Sequence, residues 1–309
     1  MVDILLASPR GFCAGVERAI ESVERALQQF GPPVYVRHEI VHNRHVVEAL
    51  RAKGAVFVEE PVQVPPRSLL VFSAHGVSPA VRKAAEEREL RVIDATCPLV
   101  TKVHKEAQRM AREGCEIVMI GHRGHVEVEG TMGQAPEHML LVENVEDVEA
   151  LELADPTRVG CVTQTTLSVD DTREIMQALQ RRFPEIQLPR KDDICYATQN
   201  RQDAVKRLAD ETDMLLVVGA PESSNSNRLV EAASKRGARS YLVQNADEID
   251  PAWLEGMARV GVMAAASAPE ILVTRVVERL EALAPDAARV CRQPEVDEGI
   301  VFPLPSLLR

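Results

Sequence analysis

The chain has 309 residues, enough for two or three compact units, and its 36 basic against 47 acidic residues give a net charge of −11. That balance excludes a general affinity for nucleic acid or anionic membrane, both of which need basic surface. One Trp, three Tyr and six Phe leave few stacking platforms for single strands, and 45% hydrophobic residues supply ample core.

The N-terminal MVDILLASPRGFCAGVE carries no basic leader and only a short apolar stretch, so no signal peptide is read there. No run approaches the ~18 apolar residues of a membrane span. The expectation is a soluble cytoplasmic protein, in which cysteines are core fillers, nucleophiles or metal ligands and not cross-links.

In chain order, short Val-, Ile- and Leu-rich runs meet a loop and then an amphipathic helical stretch. DILLAS leads through PRGFCAG to VERAIESVERALQQF, VYVRHEI to RHVVEALRAKG, and LLVFSA through HGVSP to AVRKAAEEREL. RVIDAT precedes CPLV and TKVHKEAQRMAREG, CEIVMIG precedes the loop HRGHVEVEGTM, and RVGCVTQ precedes TREIMQALQRRF. DDICYA, read as a strand, leads to TQNRQDAVKRLADET; DMLLVVGA leads through PESSNSN to RLVEAASKRG, and RVGVMAA through ASAPE to ILVTRVVERLEAL. Apolar runs of this length alternating with helices of period 3.6 predict an α/β fold with mostly parallel sheets.

Nine such units suggest three similar α/β domains, 1–96, 97–193 and 194–284, followed by a tail over 285–309. Polar residues support the grouping. Each third opens on a cysteine, Cys13, Cys97 or Cys195, and its second loop carries His42, His125 or Ser224, which lie 29, 28 and 29 residues further on. The third loops carry His75, Thr165 and Ser267. In parallel α/β sheets ligands bind at the carboxyl ends of strands, where loops run into helix N-termini. A pseudo-threefold arrangement would bring these loops to one central site.

Cys13, Cys97 and Cys195 each stand at the mouth of a predicted helix, where a thiolate is favoured. Buried small hydrophobes are the plainer alternative for any one of them. Cys115 and Cys161 fall in apolar strands and are read as core, and Cys291 has no assigned role. No C-x-x-C is present, which speaks against zinc ribbons, thioredoxin-type redox and ferredoxin-type cluster runs. Three thiolates from separate domains can still hold a metal centre, for which soft sulfur points to zinc or an iron–sulfur cluster. His42, His75, His122 and His125 concentrate on the loop face, whereas His38, His45, His104 and His138 are read as solvated or structural. Glu127 and Glu129 lie in the histidine loop, where one of them could carry a proton. Ser223, Ser224, Asn225, Ser226 and Asn227 outnumber what one helix cap needs and suit a phosphate or diphosphate. No Walker A or G-x-G-x-x-G pattern occurs.

The segments PRGFCAGVERAI, YVRHEIVHNRHVV, FSAHGVSPAVR, DATCPLVTKVH, GHRGHVEVEGTMGQ, TQTTLSVDDT, KDDICYATQNRQ and SSNSNRL together closely resemble the 4-hydroxy-3-methylbut-2-enyl diphosphate reductases of the non-mevalonate isoprenoid pathway. The likeness covers nearly the whole chain. It implies three α/β domains around a 4Fe–4S cluster held by Cys13, Cys97 and Cys195, whose fourth iron binds the substrate's terminal hydroxyl. It implies that His42, His75, His125, Ser223, Ser224, Asn225 and Ser267 hold the diphosphate, that Glu127 relays protons and that Thr165 helps to orient the hydroxyl. The implied reaction is reductive dehydration to isopentenyl and dimethylallyl diphosphate, fed by an electron donor such as ferredoxin or flavodoxin. Arg181 and Arg182, or Arg190 and Lys191, are the candidate basic patches for that donor.

The chain departs from the family at Val126, where Pro is common, and at Met263 and Ala265, in a stretch that usually reads TAGAS. Both departures bear on loops beside the diphosphate, and the second is expected to tighten the loop around Ser267. Two other readings of the same residues are a zinc-dependent hydrolase or lyase on a phosphorylated metabolite and a non-enzymatic redox or metal sensor.

Overall fold

The computed structural model describes residues 2–189, 192–284, 287–294 and 296–309. β1 (Val2–Leu6) runs into α1 (Ala14–Phe30), and β2 (Val34–Arg37), α2 (Arg44–Ala52), β3 (Ala55–Val58), β4 (Leu69–Phe72), α3 (Pro79–Glu87) and β5 (Arg91–Asp94) follow. The middle of the chain forms α4 (Pro98–Arg112), β6 (Glu116–Ile120), α5 (Val126–Met132), β7 (Met139–Val142), α6 (Val145–Ala150), β8 (Val159–Thr163) and α7 (Val169–Arg182). The last third forms α8 (Tyr196–Ala209), β9 (Met214–Val218), α9 (Ser224–Lys235), β10 (Arg239–Val243), β11 (Arg259–Ala264), α10 (Glu270–Leu283) and β12 (Ala288–Arg292).

These strands make three sheets, ordered β10–β9–β11–β1–β12, β3–β2–β4–β5 and β7–β6–β8. Every pairing between them is parallel, as the alternation of apolar runs and helices predicts. Contacts group the chain into two compact units. One comprises Met1–Ala14, His42–Arg44 and Tyr196–Val301 and holds the five-stranded sheet; the other comprises Gly15–Val41, His45–Cys195 and Phe302–Arg309 and holds the other two.

Both faces of the five-stranded sheet are covered, which is why its strands read as continuous apolar runs and not as alternating ones. Along β1, Ile4 and Leu6 enter one core with β9, β11 and α10, while Leu5 joins the opposite core under α8 and α9. In the second unit Val118 and Ile120 of β6 face α7, and Ile117 and Met119 face α4 and α5.

Three local readings change. β3, β7, β10 and β12, which the apolar runs do not announce, all lie at sheet edges. There a strand is short or half exposed, as in the partly exposed RSYLV and ARVCR. DDICYA is not a strand. Its Asp193 is buried, accepts the Thr163 N–H at 3.1 Å and pairs with Lys102 Nζ at 3.1 Å, so the segment braces the end of β8 and then enters α8. The stretch HRGHVEVEGTM is a loop only up to His125, and α5 begins at Val126. The first strand also departs from a consecutive division of the chain. β1 pairs with β11 and β12, not with the strands of residues 34–94 that follow it.

Candidate active site

Within the second unit six of the sequence candidates converge. His125 is the N-cap of α5, and its Nδ1 accepts the Glu127 N–H at 3.1 Å, which fixes that ring and starts the helix. Val126 occupies the first helical position, where an N–H is unpaired within the helix in any case, so replacing the common Pro costs preorganisation and no hydrogen bond. One turn of α5 then buries Glu127 and leaves Glu129 exposed, which separates the two carboxylates of the loop.

Thr165, just past β8, grips Glu127 with two groups. Its N–H donates to Oε1 at 2.6 Å and its hydroxyl to Oε2 at 3.0 Å. The carbonyl of the same threonine accepts the Cys195 N–H at 3.0 Å. The His75 ring stands edge-on to that of His125 with centroids 6.0 Å apart, and Ser73 Oγ lies 3.2 Å from His75 Nδ1. Cys97 N–H donates to Ala74 O at 2.9 Å, which ties the second cysteine to the His75 loop. Close backbone approach makes this possible: a Cβ at Gly130 of α5 would lie 3.2 Å from Gly76 O.

Within the first unit, Cys13 N–H donates to Ala266 O at 3.4 Å, next to Ser267. Ser223 caps α9 by accepting the Ser226 N–H at 3.3 Å, and Ser226 Oγ accepts the Ala220 N–H at 3.2 Å. Asn227 Nδ2 donates to Pro221 O at 2.8 Å. The SSNSN run therefore divides: Ser226 and Asn227 build the loop, and Asn225 is left over. Both ends of its amide are buried without a hydrogen-bond partner, as is Ser267 Oγ. Buried polar groups are normally paired, so these atoms fit a polar ligand. Ser224 is buried beside them, and His42 is half-buried and belongs to this unit. Met263 does not crowd the loop, because it is fully buried in the core under α8 and α9.

The six cysteines separate by environment. Burial pushes the Cys161 thiol well up and, to a lesser degree, that of Cys115, so both stay protonated in the core. Cys13, Cys97 and Cys195 are half-buried, and each is the residue immediately before a helix, α1, α4 or α8. Among the described residues, no three His, Cys, Asp or Glu side chains come to a common position for a single metal ion. The soft donor set of three helix-mouth thiols suits an iron–sulfur cluster or zinc. Cys291 lies in β12 beside Leu5.

Arg182 donates to the carbonyls of Val148, Glu149 and Leu151 and is thereby occupied in closing α6. Arg190 and Lys191 lie outside the described residues. No helix among the described residues is long and apolar enough to cross a membrane.

The profile of the LytB protein family matches residues 4–281. The chain belongs to the LytB family. A curated relative from Azoarcus sp. (strain BH72), named 4-hydroxy-3-methylbut-2-enyl diphosphate reductase, is 62% identical over 99% of this chain and 98% of its own length. One of the same name from Bordetella pertussis is 62% identical over 98% of this chain and 93% of its own. The solved E-1-hydroxy-2-methyl-but-2-enyl-4-diphosphate reductase of Plasmodium falciparum superposes with a TM-score of 0.93 at 39% identity, over 99% of this chain and 96% of that one. A second solved structure, described as the terminal enzyme of the non-mevalonate pathway, is 34% identical with a TM-score of 0.65, over 91% of this chain and all of its own.

Three residues around the Cys13 loop escape the sequence reading. Tyr196 Oη accepts the Ala14 N–H at 3.2 Å, Arg201 is sealed inside the first unit, and Glu298 reaches it from the C-terminal segment. The available signal was an arginine among the small and apolar residues of a buried helix, Ala197, Ala204, Val205 and Leu208.

Proposed function

We propose that this chain reduces (E)-4-hydroxy-3-methylbut-2-enyl diphosphate to isopentenyl and dimethylallyl diphosphate, in the cytoplasm, as the last step of the non-mevalonate route. The observation that carries the reading is the buried Glu127 carboxylate, gripped twice by Thr165, whose own carbonyl receives the Cys195 N–H. A proton carrier is thereby built directly against a candidate metal-ligand loop.

Cys13, Cys97 and Cys195 would hold a 4Fe–4S cluster, which when bound supplies electrons one at a time and an open iron for the substrate's hydroxyl oxygen. The chain's own residues do the rest. Asn225, Ser267, Ser223 and Ser224, with His42, His75 and His125, hold the diphosphate, the hydroxyls and amide as neutral donors and the imidazoles as donors through a ring N–H. Thr165 keeps the Glu127 carboxylate in one orientation, and its hydroxyl would also help to orient the substrate's alcohol. Glu127 delivers a proton to the departing oxygen. Over the whole reaction two electrons and two protons enter, the allylic C–O bond breaks, oxygen leaves as water, and one C–H bond forms. A small acidic electron carrier such as ferredoxin or flavodoxin supplies the electrons.

Anaerobic purification with iron and sulfide analysis, followed by turnover with the allylic diphosphate and a reduced donor, tests the proposal. Iron and sulfide in equal amount with formation of both products is the expected result. A colourless zinc protein, or a cluster protein without turnover, would overturn it in favour of the hydrolase or sensor reading.

A further inference from the structure

Arg201 is the largest fully buried side chain among the described residues. A buried guanidinium must find partners for all five N–H groups and for its charge. Nε and Nη2 donate to Gly11 O at 3.1 and 2.7 Å, Nη2 also to Phe12 O at 3.2 Å, and Nη1 to Ala197 O at 3.1 Å. The charge is met by Glu298, whose carboxylate lies 3.1–3.2 Å from Nη1 and Nη2 and also accepts from Asn200 Nδ2 at 2.8 Å.

Gly11 and Phe12 are the two residues before Cys13. The Phe12 carbonyl belongs to the same peptide plane as the Cys13 nitrogen, so Arg201 holds that plane from one side while Ala266 O holds its N–H from the other. Gly11, at φ +71, donates its N–H to Ala264 O, and the Ala14 N–H goes to Tyr196 Oη. The Gly11 and Phe12 carbonyls and the Gly11, Cys13 and Ala14 N–H groups thus each point at a fixed partner. Two carbonyls converging on one cation repel each other, and they stay together only while that cation stays. Among the described residues its only carboxylate partner is Glu298, whose described neighbours Val296, Asp297 and Gly299 are exposed and which is separated from Cys13 by 284 residues of chain.

We propose that Arg201 and Glu298 are positioning residues for Cys13, locking the peptide planes that aim its thiol, so that the C-terminal segment is a working part of the cluster site. This rests on reading Cys13 as a ligand. Partners that orient a ligand typically change metal affinity by roughly 10–100-fold when removed. Glu298→Gln keeps volume but not charge, and Arg201→Lys keeps charge but cannot reach two carbonyls and a carboxylate at once.

Two measurements on the full chain decide it. In the apo protein, alkylation by iodoacetamide is followed at Cys13 and Cys97 separately by peptide mass spectrometry. Both variants should speed alkylation of Cys13 and leave Cys97 at the wild-type rate. In the anaerobically reconstituted protein, iron loss to a chelator should accelerate by roughly 10-fold or more, with an altered electron paramagnetic resonance signal of the reduced cluster. An unchanged Cys13 rate would overturn the proposal, as would an equal rise at Cys97, the pattern of a protein that has simply loosened or unfolded. If wild-type protein takes up no iron and sulfide, the cluster reading fails separately, and the alkylation result still decides whether the pair positions Cys13.

Discussion

At the scale of single residues, Glu127 and Asn225 carry opposite signatures. Glu127 is buried with its hydrogen bonds made, so Glu127→Gln should leave folding and substrate affinity near wild type and lower kcat by roughly 10²–10⁴, the span of a lost proton carrier. Steady-state kinetics beside a binding titration will check this, and unchanged turnover would remove the role. Asn225 is buried with its hydrogen bonds unmade. Asn225→Ala should raise KM by about 10-fold, one hydrogen bond's worth, while the melting temperature of the free protein holds or rises, because an unpaired buried amide destabilises the empty site. A lower melting temperature with KM unchanged would mark Asn225 as merely structural. The sequence singled out both residues by type and loop. It could not divide labour within SSNSN, because Ser226 and Asn227 offer the same kinds of hydrogen-bonding group as their neighbours and only their local hydrogen bonds set them apart from Asn225. Residue type alone could not choose between Glu127 and Glu129, which differ in the face of α5 they occupy; only the family resemblance pointed to Glu127.

At the scale of elements, α5 is the part whose seating matters most. It is a seven-residue helix carrying Glu127, and it rests on the His75 loop through Gly130. A methyl there would stand 3.2 Å from Gly76 O and 3.3 Å from Gly76 C, atoms of backbone that cannot rotate away. Gly130→Ala should therefore cost about 1–3 kcal/mol of stability and lower kcat more than KM, as Glu127 is displaced. Thermal unfolding and kinetics on the same preparation test both parts, and wild-type values for both would show that the loop yields. Helices of fourteen or more residues with a clear apolar stripe, such as α1 and α4, were legible from period alone. α5 was not, because seven residues give too few turns to register a stripe. DDICYA misled for a related reason: Ile194 is buried as in a strand, but Asp193 beside it is committed to Lys102 and Thr163.

At the scale of the whole molecule, stability carries a pH signature from His104. Burial, and secondarily Arg82, holds this imidazole down at about 4 against an ordinary 6.5, with Asp94 opposing. The folded protein therefore keeps His104 neutral where the unfolded chain would protonate it. Its contribution is fully present above pH 6.5 and is lost as pH falls from there towards 4, a total of about 3 kcal/mol. His104→Gln should flatten the pH dependence of urea unfolding across that window relative to wild type; parallel curves would refute the assignment. The alternation of runs and helices made the parallel α/β class legible, and the cysteine offsets pointed to the loops. Sheet membership was another matter. β1 pairs with Arg259–Val262 and with Ala288–Arg292, and nothing near residue 3 encodes partners more than 250 positions away.

That pairing sets an order on biosynthesis. β1, an inner strand of the five-stranded sheet, is synthesised well before one of its two neighbours, the edge strand β12. At about 5–20 residues per second, β1 waits roughly 15–60 s for β12, and the Cys13 loop waits slightly longer for Glu298. On the proposed reading of Cys13 as a ligand, its loop gains its last buttress only once the segment bearing Glu298 has been made. Removal of residues 298–309 is expected, on that proposal, to leave Cys13 as poorly held as Glu298→Gln does.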